Sequence, residues 1–199
     1  MADGSIVGYG DLDNAGLVVK LDSMGVKVWE NTYANSVGDW KSIRCVSELN
    51  NSLYMLSEGG AGTCTGSIDI HVCQSLGPSL ETIDREDGLI TNSVKIDSLN
   101  GATWDGVSSF RTTSDGQFLI GTSVRGFSCA GGYGCDGAAI VTINTQGGID
   151  WEWVSLGVAS HYNGRYAAER PTGGYVLTGQ REMGLDGDPI AFLMVIKRT

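Results

Sequence analysis

The sequence is short of several residue types, and each shortage narrows the classes of protein it can be. Its 199 residues include only 3 prolines and 2 histidines, and charged residues make up 18%. No run of about 18 apolar residues occurs, so no bilayer-spanning helix is predicted. The five cysteines form no Cys-x-x-Cys pair, which argues against a zinc site and a dense disulfide framework. Only 13 basic residues stand against 23 acidic ones, so neither nucleic acid nor an anionic membrane is an expected partner.

Glycine and apolar residues are abundant instead, at 30 residues and 41% of the chain respectively. Short apolar runs between glycine-rich turns favour strands over helices. The longest helix-compatible stretch, residues 80–88, has no clean 3.6-residue apolar period. We therefore predict an all-β fold.

Three phrases recur along the chain, and such repeats predict a repeated structural unit. The first phrase reads GLVVKLDSMGVKVW (16–29), SVKIDSLNGATW (93–104) and IVTINTQGGIDW (140–151). The second, a turn followed by an apolar strand, reads DGSIVGY (3–9), NNSLYMLS (50–57), DGQFLIGT (115–122) and TGGYVLTG (172–179). The third precedes three of these, as WKSIRCVSE (40–48), GVSSFRTTS (106–114) and GRYAAERPT (164–172).

In chain order these phrases describe four antiparallel strands that repeat at roughly 45–60 residues, which is typical of a β-propeller blade. The predicted units are about 1–38, 39–105, 106–163 and 164–199, with three, four, four and three strands. In the second unit SIDIHVCQS (67–75) is predicted as the third strand. SLETIDRED (79–87) is a weaker candidate for the fourth strand, because the segment 80–104 is longer than one strand needs and leaves the assignment open. The second copy of the first phrase belongs either to an insertion near 80–103 that forms a hairpin or to the true fourth strand of this unit.

The pattern DGG-Y-apolar-G, followed by D-x-apolar-VKLD-x-x-G-x-x-x-W, resembles that of bacterial propeller-type repeat proteins. It is also loosely similar to the tryptophan-bearing repeats of quinoprotein-like propellers. The resemblance spans the chain except about residues 80–103, and it implies a propeller-like fold with about four blades. Such families are often extracellular, although MADGSIVGYG at the N-terminus has no signal-peptide features. No residues match the quinone-binding positions of the enzymes, so that cofactor is not implied.

An open propeller exposes strand edges, and propellers protect their edges by closing the ring. We expect closure through a two-fold homodimer that supplies eight blades, because cyclic pairing is the commonest oligomer arrangement. A self-closed ring of four blades and a piece of a longer protein are the alternatives.

The loops between the second and third strands are rich in glycine and acidic residues. Their aspartates are Asp11, Asp13, Asp136, Asp186 and Asp188. Alternating carboxylates in glycine-rich turns can bind calcium, but the spacing of a calcium-binding EF-hand loop is absent. Asp and Gly also form turns for purely local reasons, and this is the favoured interpretation. No other cofactor is predicted.

Cys129 and Cys135 bracket the flexible segment AGGYG and would form a loop-stapling disulfide if the protein is exported. The alternative is that both are reduced, small and partly buried.

The aromatic residues fall into two groups. Trp29, Trp104, Trp151 and Trp153 recur at one place in the repeat, which favours packing between blades over carbohydrate stacking. Trp40, Tyr133 and Tyr162 are predicted to lie in loops, where they are better candidates for ligand contact.

For function, these features favour a non-catalytic binding or assembly module whose carbohydrate or protein ligand lies at the loop face or central channel. The alternatives are a glycan hydrolase that uses loop carboxylates and a structural fragment of a larger protein. Glu58, Glu152 and Glu169 are available for paired-carboxylate chemistry. His71 shares a strand face with Asp69, but no G-x-S-x-G elbow accompanies this pair.

Overall fold

The computed structural model describes nine segments of the chain. These segments are residues 1, 3–34, 40–65, 72–97, 99, 103–128, 134–155, 160–183 and 189–198. Inside the strands, the side chains of 61–65, 72–76, 126–128, 134–136, 160–161 and 182–183 are not described. The described residues contain strands and turns but no α-helix, so the all-β prediction is confirmed. Accordingly, no helix long and apolar enough to cross a membrane is found among them.

Fourteen strands lie in the described residues and form four antiparallel sheets. Sheet 1 contains β1 (Ile6–Leu12), β2 (Ala15–Leu21) and β3 (Lys27–Tyr33). Sheet 2 contains β4 (Trp40–Leu49), β5 (Ser52–Thr65), β6 (Val72–Ile83) and β7 (Ile90–Lys95). Sheet 3 contains β8 (Thr103–Thr112), β9 (Phe118–Ser128), β10 (Gly134–Ile143) and β11 (Ile149–Val154). Sheet 4 contains β12 (Ser160–Glu169), β13 (Tyr175–Met183) and β14 (Ile190–Ile196).

In sheet 2 the strands after β5 differ from the prediction. The third strand is β6, which begins at Val72 and includes the first five residues of SLETIDRED. The fourth strand is β7, whose last three residues open the phrase SVKIDSLNGATW. The long β5 pairs with β6 as far as Ile83, and Ile83 pairs in turn with Ile90. The weaker candidate for the fourth strand is therefore wrong, because its apolar half is needed to pair with β5. The alternative, in which the second copy of the first phrase supplies the fourth strand, is confirmed for residues 93–95.

The repeated phrase encodes a particular turn. In LDSMGV, the Asp22 carboxylate accepts hydrogen bonds from the backbone N–H groups of Met24 and Val26, both at 2.9 Å. In INTQGG, the Asn144 side-chain oxygen accepts from Gln146 at 2.9 Å and from Gly148 at 3.1 Å. The fourth residue of each turn is a glycine with φ near +80°, at 81° and 78°. The turn thus needs two residue types at a fixed spacing. Asp or Asn accepts the backbone hydrogen bonds, and Gly three residues later adopts the positive φ.

The chain forms two compact units, Met1–Ile96 and Asp97–Thr199. In the first unit, sheets 1 and 2 share a hydrophobic core, formed by Val18, Trp29, Tyr33, Ile43, Leu53, Met55 and Ile83. In the second unit, sheets 3 and 4 share another core, formed by Leu119, Ala138, Ile140, Ala167, Tyr175, Leu177 and Ile196. Within each unit, face-to-face packing of two sheets therefore buries the inward residues of both.

The tryptophans take part in this packing between sheets. Trp29 belongs to the core of the first unit, and Trp151 lies 5.2 Å from the Tyr175 ring of sheet 4. Trp104 differs, because it lies in β8, the first strand of its sheet, whereas Trp29 and Trp151 lie in the last. The prediction that all four tryptophans share one place is wrong for Trp104. The phrase that ends at Trp104 is similar in sequence to the other two, but its tryptophan lies in the first strand of a sheet and not in the last.

Candidate functional site

The aromatic residues predicted as ligand contacts lie in strands. Trp40 is the first residue of β4 and Tyr162 lies in β12, and both are half-buried. The Tyr162 ring packs edge-on against Phe192 at 5.6 Å, and the Arg181 guanidinium lies 5.3 Å from its centre. Trp40 and Tyr162 belong to different units, and Tyr133 lies outside the described residues. The prediction that they lie in loops is wrong for Trp40 and Tyr162.

Of the predicted calcium ligands, Asp11 is engaged by sheet 2. Its carboxylate accepts a hydrogen bond from the Ile43 backbone N–H at 3.0 Å and another from the Ser42 hydroxyl at 2.9 Å. Asp13 lies in the turn that follows, with φ at 49°. The side chain of Asp136 is not described, and Asp186 and Asp188 lie outside the described residues. Among the side chains that are described, no group of three or more His, Cys, Asp or Glu residues is placed to hold a metal ion.

The predicted disulfide cannot be placed, because Cys129 lies outside the described residues and the side chain of Cys135 is not described. Cys45 is half-buried and forms no disulfide, and its sulfur lies 3.5 Å from the Tyr9 hydroxyl. That hydrogen bond, together with burial, raises the pKa of Tyr9 to about 12. Tyr9 therefore stays protonated at neutral pH and bridges β1 and β4.

The candidate catalytic groups are spread over both units. His71 and Asp69 lie outside the described residues. Glu58 is buried in the first unit and accepts a 2.7 Å hydrogen bond from Arg44. Glu169, in the second unit, accepts hydrogen bonds from the backbone N–H and the hydroxyl of Ser114, each at 2.7 Å. Burial raises the pKa of Glu152.

Sheet 2 contains a buried ionic cluster that the sequence did not reveal. Lys41 Nζ lies 2.6 Å from Glu81 Oε1, and their side chains are 8% and 5% exposed. The Ser57 and Ser93 hydroxyls also donate to the Glu81 carboxylate, at 3.0 and 3.3 Å. Because these groups satisfy one another away from solvent, the cluster fixes the pairing of β4, β5, β6 and β7 rather than meeting a substrate.

A second polar cluster holds the loop between β6 and β7. Arg85 donates to Glu48 at 2.6 Å and to Asp3 at 3.1 Å. Its backbone oxygen accepts from Trp29 Nε1 at 2.9 Å and from Lys20 Nζ at 3.0 Å. The main chain of this loop is thereby joined to sheet 1, and the Arg85 side chain joins it to β4 and to the segment before β1.

Asp3, at the edge of this cluster, is expected to titrate at unusually low pH. Its carboxylate accepts hydrogen bonds from the Ser5 hydroxyl and backbone N–H, at 2.5 and 2.9 Å. These bonds, aided by the Arg85 charge, lower the pKa of Asp3 from 3.8 to about 2. The folded-state pKa is therefore below the unfolded one. The stability that Asp3 contributes is complete above the unfolded pKa and is lost as the pH falls through the folded value.

An NMR titration of the Asp3 carboxyl carbon measures this directly. We expect a midpoint near pH 2 in the native chain, and a midpoint moved toward 3.8 in the Ser5→Ala variant, which lacks the stronger of the two bonds. Equal midpoints in the two proteins would contradict the assigned cause.

Two surface grooves are present among the described residues. One, of about 380 Å³, lies in the first unit and is lined by residues of the N-terminal segment, β1, β4 and β5, including Ile6, Val46 and Leu53. The other, of about 440 Å³, lies in the second unit. Its lining residues are Arg170, Thr172, Gly173, Gly174, Lys197 and Arg198. The first groove has mixed walls, with Ser5, Ser47 and Glu48 beside its apolar residues, whereas the second is cationic.

Sheets 1 and 4 each have one apolar face that is exposed. In sheet 1, Ile6 and Val28 are 58% and 48% exposed. In sheet 4, Leu193 and Val195 are 66% and 54% exposed. The sequence indicated apolar strands, but it did not indicate which faces remain open.

Comparison with known proteins gives little further information. No family model matches the sequence, and no curated protein matches it. A crystal structure of a protein of unknown function from Bacteroides caccae, at 1.35 Å resolution, is similar with a TM-score of 0.48 and 12% sequence identity. The match covers 98% of this chain and 58% of that one, so this chain spans little more than half of that protein's length. We draw neither a family nor a function from this likeness.

Proposed function

We propose that the chain is a non-catalytic, propeller-like binding and assembly module that completes its ring with a second copy. The observation that carries this proposal is the pair of exposed apolar faces on sheets 1 and 4. In the proposed two-fold dimer, sheet 1 of each copy packs on sheet 4 of the other. The dimer then contains eight sheets, within the range of four to eight blades that is usual for propellers.

The alternation of sheet 1 supports this arrangement. Val18 and Trp29 point to the core shared with sheet 2. Their neighbours Leu17 and Val19 point to the opposite face, since successive side chains alternate. Ile6 and Leu12 are 58% and 50% exposed. An apolar face without a covering layer is uncommon on a soluble monomer and marks an interaction surface.

Sheet 4 has a matching face. Tyr175, Leu177 and Ile196 point to the core shared with sheet 3. On the other side, the exposed Val195 pairs with Val176, and the exposed Leu193 pairs with Thr178. Both open faces thus belong to sheets whose other face is already packed against a neighbouring sheet. A second copy continues the same mode of packing and covers both faces at once.

The dimer is tested with two variants, each of which has a charged residue on one of the two faces, and then with a mixture of both. Leu193→Lys and Val28→Glu should each weaken dimerisation by at least about thirtyfold in sedimentation velocity, because a charge is then buried in an apolar contact. Gln146→Lys, in an exposed turn of the second unit, adds the same charge as Leu193→Lys and should leave the dissociation constant unchanged.

An equal mixture of Leu193→Lys and Val28→Glu should recover dimers. Each mixed dimer contains one unaltered pair of faces and one pair in which the new lysine meets the new glutamate. If the mixture shows no more dimer than either variant alone, the pairing of sheet 1 with sheet 4 is wrong. Equal weakening by Gln146→Lys would also contradict it.

A further inference from the structure

We propose that the cationic groove of the second unit binds an oxyanionic group, namely the phosphate, sulfate or carboxylate of a ligand. The groove is defined by residues 170–174 of the turn between β12 and β13 and by Lys197 and Arg198 after β14. This inference goes beyond the assembly role and does not depend on it.

The residues that line the groove carry a positive charge, whereas the chain as a whole is negative. The chain has a formal net charge of −10 and only 13 basic residues. Arg170, Lys197 and Arg198 all line this one groove, and none of its lining residues is acidic. A concave surface with one sign of charge concentrates ligands of the opposite sign. The groove therefore attracts anions although the rest of the protein repels them.

Arg198 is held in a fixed orientation at the groove. Its Nη1 donates to the Asp115 carboxylate at 3.0 Å and to the Tyr175 hydroxyl at 3.4 Å. The Asp115 carboxylate is itself fixed by the Thr113 hydroxyl at 2.5 Å. Both bonds of Arg198 use one nitrogen, so its other N–H groups are left to contact a ligand. A guanidinium oriented in this way binds oxyanions in a forked geometry.

Arg170 and Lys197 supply the charge that Asp115 does not neutralise. Among the described residues, neither side chain takes part in an ion pair or a side-chain hydrogen bond. Both cations are thus available to a ligand. Arg198, whose charge is partly neutralised by Asp115, mainly orients the ligand through its remaining N–H groups.

The backbone of the turn leaves the groove open. Gly173 and Gly174 have φ of 84° and 77°, a conformation that favours glycine. A side chain at Gly174 would collide with the backbone oxygen of Ile196, whereas one at Gly173 would meet nothing within 4 Å. The turn therefore lies against the end of β14 and presents bare backbone to the groove, where a small polyatomic anion has room.

The test is a titration of the full chain with inorganic phosphate at constant ionic strength, followed by the amide NMR signals of Gly173 and Gly174. We expect saturable shifts of these signals. Arg170→Gln and Lys197→Gln should each raise the dissociation constant about tenfold, the effect of losing one charge-assisted hydrogen bond. Arg165→Gln removes the same charge from an exposed position of β12 outside the groove, and it should change the constant by less than about twofold.

Parallel titrations with sulfate and acetate identify the source of the oxyanion. Saturable binding of phosphate and sulfate alone assigns the groove to tetrahedral anions, and equal binding of acetate extends the assignment to carboxylates. Shifts that rise linearly without saturation, or equal weakening by Arg165→Gln, would show only general screening and overturn the proposal.

Discussion

Replacement of Glu81 by alanine is expected to lower the free energy of unfolding by about 3 to 5 kcal/mol. The Glu81 carboxylate accepts hydrogen bonds from Lys41, Ser57 and Ser93. Both ionic side chains are nearly excluded from solvent, with 8% of Lys41 and 5% of Glu81 exposed. In the Glu81→Ala variant the lysine remains buried without its counter-charge, and this causes most of the loss. Urea denaturation at a fixed protein concentration measures the change, since an associating protein gains apparent stability with concentration.

Two further variants separate the buried charge from the lost side chain. Replacing both partners, as Lys41→Met with Glu81→Leu, should recover most of the lost stability, because no unpaired charge remains. Arg125→Ala breaks the surface pair of Arg125 and Asp105 in sheet 3, whose side chains are 64% and 23% exposed, and should cost at most about 1 kcal/mol. A loss in Glu81→Ala no greater than that in Arg125→Ala would contradict the structural role of the cluster.

Replacement of Trp29 by alanine should lower the free energy of unfolding by a similar amount, about 3 to 5 kcal/mol, as is usual for a buried tryptophan. Its ring is only 8% exposed and lies in the core between sheets 1 and 2. Its Nε1 also donates to the backbone oxygen of Arg85 at 2.9 Å. The variant thus leaves a cavity between the sheets and weakens the attachment of the loop between β6 and β7. Urea denaturation again measures the effect.

Trp29→Phe separates these two contributions. The Arg85 oxygen still accepts from Lys20 Nζ at 3.0 Å, so it is not left without a donor. We therefore expect a loss of only about 1 kcal/mol beyond the small change in volume. A ligand-stacking tryptophan would instead tolerate alanine with little loss of stability. A change below about 1 kcal/mol in Trp29→Ala would favour that role over packing.

The sequence predicted the features that depend on neighbouring residues. The strands followed from short apolar runs between turn residues, whereas the role of the spacing between Asp22 and Gly25 became clear only in the structure. Trp29 and Trp151 recurred at the place where their sheets pack on the next sheet. Each of these signals lies within a few residues of the feature it specifies. Because the signals also recur along the chain, they could be recognised in the sequence.

The features that the sequence did not predict depend on residues far apart in the chain. Lys41 and Glu81 are 40 positions apart, and only the strand register of sheet 2 brings them together. Arg170 and Arg198 are likewise far apart in the sequence, and the end of β14 brings Arg198 beside the turn that contains Arg170. Tyr162 is predicted to lie in a loop because β12 begins before the phrase GRYAAERPT does. Trp40 is the first residue both of β4 and of the phrase WKSIRCVSE, so the repeat itself indicated that it lies in a strand.

The assembly of two copies is tested most directly by the mass of the intact chain in solution, measured by light scattering across a dilution series. We predict a particle of twice the 21.0 kDa mass of one chain at micromolar concentration, with the exposed faces of sheets 1 and 4 covered. A single species of 21.0 kDa at every concentration would contradict the proposed dimer, because the apolar faces of Leu193 and Val28 would then remain open in the stable protein.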